Sequence, residues 1–207
     1  RAQTSLSYAY SNRNYTHRMM LTHSTGLSKK GWAFTVSGSR RYANEGYVPG
    51  TYYDGWSYFA AIDKRIGQKH LVSLVAFGAP TESGRQGASV MEMQNLAGSN
   101  YYNPFWGYQN GKVRNASVGK SHQPYGILTH EFRISNKTTL TTAFGYSFGD
   151  RSTTALDWYN SADPRPDYYR YLPSYYAKTD PLQAAQMEEA MRADINLRQI
   201  DWNGLYL

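Results

Sequence analysis

The chain has no cysteine. Disulfide staples and thiolate metal sites are therefore excluded, while the redox compartment stays open. It also has no run approaching the roughly 18 consecutive apolar residues of a transmembrane helix. That lack does not exclude a membrane, because transmembrane strands alternate and give a weak hydropathy signal. Aliphatic side chains are sparse, whereas tyrosine occurs 20 times in 207 residues. Acidic residues are the minority charge: 15 against 22 Lys and Arg gives +7. Such a balance suits nucleic acid, anionic lipid or an acidic ligand. Here Lys29-Lys30, Arg40-Arg41, Lys64-Arg65 and Lys69 stand mostly at the ends of apolar-polar segments rather than in one patch. That placement reads as charge flanking a membrane boundary or a solvated turn, and no nucleic-acid partner is expected.

Catalytic chemistry is equally thin. No serine elbow, phosphate-binding loop or helix-borne His-Glu motif is present. His17, His23, His70, His122 and His130 lie on separate segments. His17 and His23 share a strand face but stand about 20 Å apart, too far for one metal. Glu45 with Asp54, and Asp163 with Asp167, have no acid/base context and read as solvated turn carboxylates. Met91-Glu92-Met93 is better explained by loop packing than by a soft metal. The chain is expected not to be an enzyme and to carry no cofactor and no metal.

What is present is a rhythm. In Gly31-Trp32-Ala33-Phe34-Thr35-Val36-Ser37-Gly38-Ser39-Arg40, the residues Trp32, Phe34 and Val36 share one face and Ala33, Thr35, Ser37 and Ser39 the other. Residues 138–148 repeat it, with Leu140, Thr142, Phe144, Tyr146 and Phe148 opposite Thr139, Thr141, Ala143, Gly145 and Ser147. A period of two predicts strands with one apolar face. Small polar residues on the second face predict water there rather than a second packed layer.

Strands are predicted over residues 3–11, 15–25, 32–41, 56–64, 70–77, 125–134 and 138–148. Residues 70–77 are apolar on both faces, so their orientation is left open. Short turns at 26–30, 65–69 and 135–137 alternate with longer links at 42–54, 78–124 and 149–199; the link at 12–14 is short where the alternation calls for a long one. An up-and-down barrel in an outer membrane has short periplasmic turns and long outer loops. The fold class expected is therefore all-β: an antiparallel up-and-down transmembrane β-barrel sector of about seven to eight strands, with loops 78–124 and 149–199 extracellular. Trp202-Asn203-Gly204-Leu205-Tyr206-Leu207 reads as the start of a further strand. Residues 1–207 are accordingly expected to be a partial barrel domain cut from a longer polypeptide.

The long loops hold the aromatic residues. Tyr101, Tyr102, Trp106 and Tyr108 fall in the first, and Arg165, Tyr168, Tyr169 and Tyr171 in the second. Tyr and Trp give broad amphipathic contact at low entropic cost, so these eight are the candidate ligand-binding residues; packing of loop on loop is the competing use. Asp180-Pro181 predicts a helix start, with Asp as N-cap and Pro at the first position. Ala184, Met187, Met191 and Ile195 then share a face suited to docking on the rim or on a partner.

An ordered series of segments carries a resemblance. Ser24-Thr25-Gly26 leading to Gly31-Trp32-Ala33, then Gly46-Tyr47-Val48-Pro49-Gly50-Thr51, Phe77-Gly78-Ala79-Pro80, Tyr101-Tyr102-Asn103-Pro104 with Trp106-Gly107-Tyr108, and Asp163-Pro164-Arg165-Pro166-Asp167-Tyr168-Tyr169 resemble the barrel of Bacteroidetes-type TonB-dependent outer-membrane receptors. The likeness runs through essentially the whole chain. It implies a 22-stranded barrel closed by a plug domain and active uptake of a large or scarce nutrient such as a siderophore, cobalamin, glycan or peptide. The partners implied are outer-membrane lipid and, through a plug segment, the TonB complex. A surface lipoprotein capping the barrel is compatible with it. Neither a plug nor a TonB-contacting segment is present in these residues. Two alternatives remain: a passive or structural outer-membrane barrel, and a secreted carbohydrate-binding β-sandwich.

Overall fold

The computed structural model describes residues 2–206. The first half contains β1 (Gln3–Tyr10), β2 (His17–Ser24), β3 (Trp32–Ala43), β4 (Tyr52–Ile66), β5 (His70–Gly78), β6 (Thr81–Gly84), α1 (Met91–Ala97), β7 (Trp106–Gln109), β8 (Lys112–Asn115) and β9 (Val118–His122). The second contains β10 (Tyr125–Ser135), β11 (Thr138–Ser147), β12 (Asp150–Thr153), α2 (Pro173–Tyr176), α3 (Pro181–Ala193) and α4 (Trp202–Leu205). The main sheet has ten strands, in the order β1-β2-β3-β4-β5-β10-β11, with β6, β9 and β12 attached beyond β4. Its strand pairs are antiparallel. The sheet does not close: β1 and β11 each keep a free edge.

Three strands run on through a break. β5 continues as β6 across Ala79-Pro80, β9 as β10 across Gln123-Pro124, and β11 as β12 across Phe148-Gly149. Proline has no N–H for the ladder, but its carbonyl still accepts: Pro80 O takes the Trp56 N–H at 2.9 Å and Pro124 O the Phe148 N–H at 3.4 Å. The sheet therefore extends past these breaks as β4-β6-β9-β12.

Register sorts the side chains into two faces. One carries Leu6, Tyr8, Met19, Leu21, Trp32, Phe34, Val36, Trp56, Tyr58, Ile62, Leu74, Leu128, Leu140 and Phe144. Burial on it is inverted relative to a soluble sheet. Leu6 is 73% exposed, Val36 54% and Phe144 68%, while the Thr and Ser residues behind β3 are partly buried. These hydroxyls bond one another: Thr22 with Ser37 at 2.7 Å, Ser39 with Ser57 at 2.6 Å, and Thr35 to Ser24 at 3.0 Å. The ambiguous segment 70–77 is resolved by register: Val72, Leu74 and Ala76 join the apolar face, and Leu71, Ser73, Val75 and Phe77 the opposite one. The second face is thus not wholly small and polar. Phe59, Phe77 and Tyr125 form one row on it, with Phe77 stacked on Tyr125 at 5.4 Å.

The dry core lies outside the sheet. Met93, Leu96, Tyr102, Leu172 and Met191 form one buried cluster, and Ala116, Ile200 and Trp202 a second. The first joins residues of the two long links, and the second joins Ala116 of the first link to Ile200 and Trp202 just beyond the second, so that these segments fold together into a cap.

Several expectations need correction. Residues 78–124 and 149–199 are not continuous loops, since they hold β6, α1, β7, β8, β9, β12, α2 and α3. The segment from Trp202 is α4 rather than a strand: Asp201 caps it by accepting the Gly204 N–H at 2.9 Å, and Trp202, 1% exposed, donates its indole N–H to Arg114 O at 3.1 Å. Leu207 lies outside the described residues. The helix opened by Asp180 exists, but it stops at Ala193. Ile195 falls in the next turn, which Asp194 starts by accepting the Asn196 N–H, and is exposed. The strand predicted over 15–25 begins only at His17, and Tyr15 before it packs against Arg41 and Tyr53. Among the described residues no helix is long and apolar enough to cross a membrane, which says nothing of strands.

Candidate functional site

The eight aromatic and arginine candidates do not converge on one site. Two are interior to the cap. Tyr102 is 8% exposed and donates its hydroxyl to Arg198 O at 2.9 Å. Burial, with Asp167 nearby, holds its phenol well above the ordinary value. Trp106 is as enclosed, its indole lying over Gly50. Gly50 has φ +72°, and a Cβ there would stand 2.0 Å from the Trp106 ring. Only glycine permits both that backbone and that approach.

Arg165 is committed. Its Nε and Nη2 donate to Asp163 Oδ2 at 2.8 and 2.5 Å, and Asp167 lies 3.9 Å away. The bidentate pair raises the Arg165 pKa and leaves the guanidinium little unspent charge for a ligand. Burial raises the Asp167 carboxyl above its ordinary range, and Arg165 only partly offsets this.

The other five are accessible. Tyr168, Tyr169 and Tyr171 form an edge-to-face cluster at 4.8 and 5.3 Å, extended by Tyr175 at 5.6 Å. Arg170 lies over the Tyr169 ring at 5.6 Å and donates to its hydroxyl at 2.9 Å. Such a platform can stack on a planar or sugar ring and offer hydroxyls at its edge. Tyr101 stands edge-on to Tyr47 at 5.6 Å. These two, with Asn12, Arg13 and Asn14, line an open recess of about 570 Å³. Tyr108 sits on the β7–β8 hairpin, edge-on to Trp106 at 5.6 Å. Asn110 and Gly111, with φ 50° and 75°, give that hairpin its tight turn.

Sequence reasoning missed the cap's polar keystones. Asn103 has no exposed surface. Its carbonyl accepts the N–H groups of Gly87 and Phe105, and its amide donates to Pro49 O and Arg85 O. Asn115 donates to Gly50 O and Arg85 O and accepts from Ser117 N–H. Their only signal was position: Asn103 sits in an Asn-Pro step within the aromatic segment. Also missed was the pairing of Arg18 with Arg41, which share a face directly across two strands. Both are partly buried, and Arg41 lies over the ring of Tyr15, which meets that of Tyr53.

A cleft of about 890 Å³ opens where the apolar face meets the cap. Its charges are matched: Arg40 with Asp54 at 3.1 Å, and Lys120 with Glu82 at 2.9 Å. The hydrogen bond from Lys120, then that from Tyr52, holds the Glu82 carboxyl below its usual range. Among the described residues, no group of three or more His, Asp or Glu is disposed to hold a metal. Compared with protein-family models, with curated proteins and with solved structures, the chain matches none, and no family is assigned by those comparisons.

Proposed function

We propose that this sheet is a sector of the wall of an outer-membrane β-barrel that takes up a nutrient in the TonB-dependent manner, with the cap facing outward. The carrying observation is the inverted burial: a largely apolar face, exposed across seven neighbouring strands and interrupted by the Thr4–His23 pair and by His130 and Thr142, behind which hydroxyls bond one another. Exposed apolar surface on that scale marks contact with a membrane or a protein. Its dimensions favour lipid. On β4 the outermost charges of this face are Asp54 and Lys64, with only Trp56, Tyr58, Ala60 and Ile62 between them. Ten residues span about 33 Å along a strand. Tilted by about 40°, that is roughly 25 Å, the height of a barrel's apolar band.

Girdles occupy both ends of the band. Tyr10, Tyr42 and Trp56 stand at the cap end, where Arg40 lies over Trp56 at 4.7 Å. Trp32 stands at the turn end with Lys64 over its ring at 4.5 Å. Aromatics with snorkelling cations are the residues of membrane interfaces. The free edges of β1 and β11 would pair with further strands of the same barrel. The Phe59-Phe77-Tyr125 row on the lumen side would receive a plug domain. TonB coupling and uptake rest on the resemblance and on the exposed tyrosine platform of the cap. A β-sandwich would need a second sheet stacked on the first, and among the described residues the only other sheet is the β7–β8 hairpin.

Single cysteines, placed in the complete protein with any thiol outside these residues replaced, test the wall. In native outer membranes of the complete protein, Cys at Val36 should react with a lipid-soluble maleimide and resist a charged one, and Cys at Ser37 should show the reverse. Equal reaction of both with the charged reagent overturns the wall. Uptake is tested separately: loss of TonB should abolish growth on the transported nutrient, and unimpaired growth would favour a passive barrel.

A further inference from the structure

Resting on the wall reading above, we propose that Arg18 and Arg41 form a subsite on the lumen face that binds an oxyanion of the transported molecule, a carboxylate or a phosphate. The two residues are direct cross-strand partners. Like charges placed directly opposite one another destabilise a sheet, so the pair calls for a counter-charge. The described residues do not supply one. Arg40, Lys120, Arg165 and Arg192 each meet a carboxylate within 4 Å, whereas neither Arg18 nor Arg41 forms an ion pair among the described residues. The Nε of each is sheltered from solvent and has no protein acceptor.

The row that holds the pair carries no carboxylate among the described residues. Along the same row the face continues through Gly55, Thr81 and Ser121 to Arg151. Asp54 points to the opposite face, and Glu45 is turned to the Gly50 N–H. Asp63 shares the face but lies eight residues down β4 from Gly55, about 26 Å away. Donors and a platform complete the subsite. Ser39 and Ser57 sit one step below Arg41 on the same face. Tyr15 lies 5.9 Å from the Arg41 guanidinium, and its ring is 6.2 Å from that of Tyr53. Two planar forks side by side match the oxygens of a carboxylate or phosphate better than lysines would.

A plug domain is the rival occupant. The pair sits at the cap end of β2 and β3, where a molecule entering through the cap arrives first. The apolar row suited to a plug lies about 13 Å deeper on β4, β5 and β10. The position therefore favours the incoming ligand.

Calorimetry on the complete protein, extracted from the membrane in detergent, tests the site. Citrate serves as the polycarboxylate probe and inorganic phosphate as the other; whichever binds identifies the source of the oxyanion. The expected result is saturable binding of at least one probe, weakening as salt is raised. Joint Arg18→Gln and Arg41→Gln should weaken it about ten- to a hundredfold. The joint Lys variant, which keeps the charge but not the forks, should fall between. Arg65→Gln, at the turn end of the same face, should bind as the unaltered protein does. Lack of binding to either probe, or equal binding by the joint Gln variant, overturns the proposal. A joint Gln variant that binds normally but exposes its plug to protease assigns the arginines to the plug instead. The Val36 and Ser37 labelling decides the wall independently, so a sound wall with a failed titration sinks the oxyanion site alone.

Discussion

Asn103 uses every hydrogen-bonding position of its side chain inside the cap: two N–H groups donate to its carbonyl and its amide reaches two backbone carbonyls. Truncation would take partners from the Gly87 and Phe105 N–H groups and from Pro49 O, while Arg85 O would keep its bond from the Asn115 amide. Asn103→Ala is expected to cost the cap about 3–5 kcal/mol, seen as faster hydrogen exchange in α1 and in β7–β8 with the β1–β5 ladder unchanged. Uniform loosening of cap and ladder together would show that the two are one cooperative unit. Asp167 acts with the opposite sign. Burial raises its pKa in the folded state, so between the ordinary value, about 3.9, and the raised one the folded protein holds the extra proton. Stability then falls as pH rises through that window and the penalty is complete above it. The cap should tighten on acidification into the window, and Asp167→Asn should remove the dependence; exchange rates corrected for intrinsic pH effects report both. The lowered Glu82 carboxyl works the other way. Its contribution is present above the ordinary glutamate value and is lost only as pH falls through the lowered one, and it belongs to the sheet extension rather than the cap.

At the scale of elements, legibility followed the length of the periodic signal. Strands of eight residues or more were readable within a few residues: alternation over that span has no competing explanation, and β5, apolar on both faces, was legible as a strand without its orientation. β6, β9 and β12 have four or five residues each, and two of the three breaks that isolate them carry a proline, so they merged into apparent loops. α1 has no polar N-cap, Val90 standing there without a side-chain bond; it is held by the burial of Met93 and Leu96, which only the fold reveals. α3 was legible from one local device. Asp180 accepts the Gln183 N–H at 2.9 Å, and Asp180→Ala should cost the helix about 1 kcal/mol, read as faster exchange in its first turn. An unchanged first turn would mean that packing of Ala184 and Met191 alone fixes the start. Of the candidate site, the aromatic chemistry was legible but not its partition. Nothing in a run of tyrosines tells that Tyr102 is enclosed and Tyr169 is half open, since burial there depends on a second segment some 70 residues away.

For the whole molecule, the two faces of one strand carry the argument. Val36 stands in the middle of the apolar band, level with Ala60 and Ala76 on β4 and β5 and with His23, bonded to Thr4, on β2. Ser37 is the next residue, on the opposite face, bonded to Thr22. If lipid covers the first and water the second, a charge is costly at one and cheap at the other. Val36→Lys should lose about 2–4 kcal/mol, as for a cation at the midplane of a barrel wall. Ser37→Lys should lose about 1 kcal/mol, mainly the hydroxyl bond. Reversible urea unfolding of the complete barrel in lipid vesicles measures both. An ordinary solvated sheet would respond in the other order, because a lysine on an exposed surface costs within about 0.5 kcal/mol while one among the partly buried hydroxyls would cost more. The sign of the difference between two adjacent residues therefore decides which solvent each face meets.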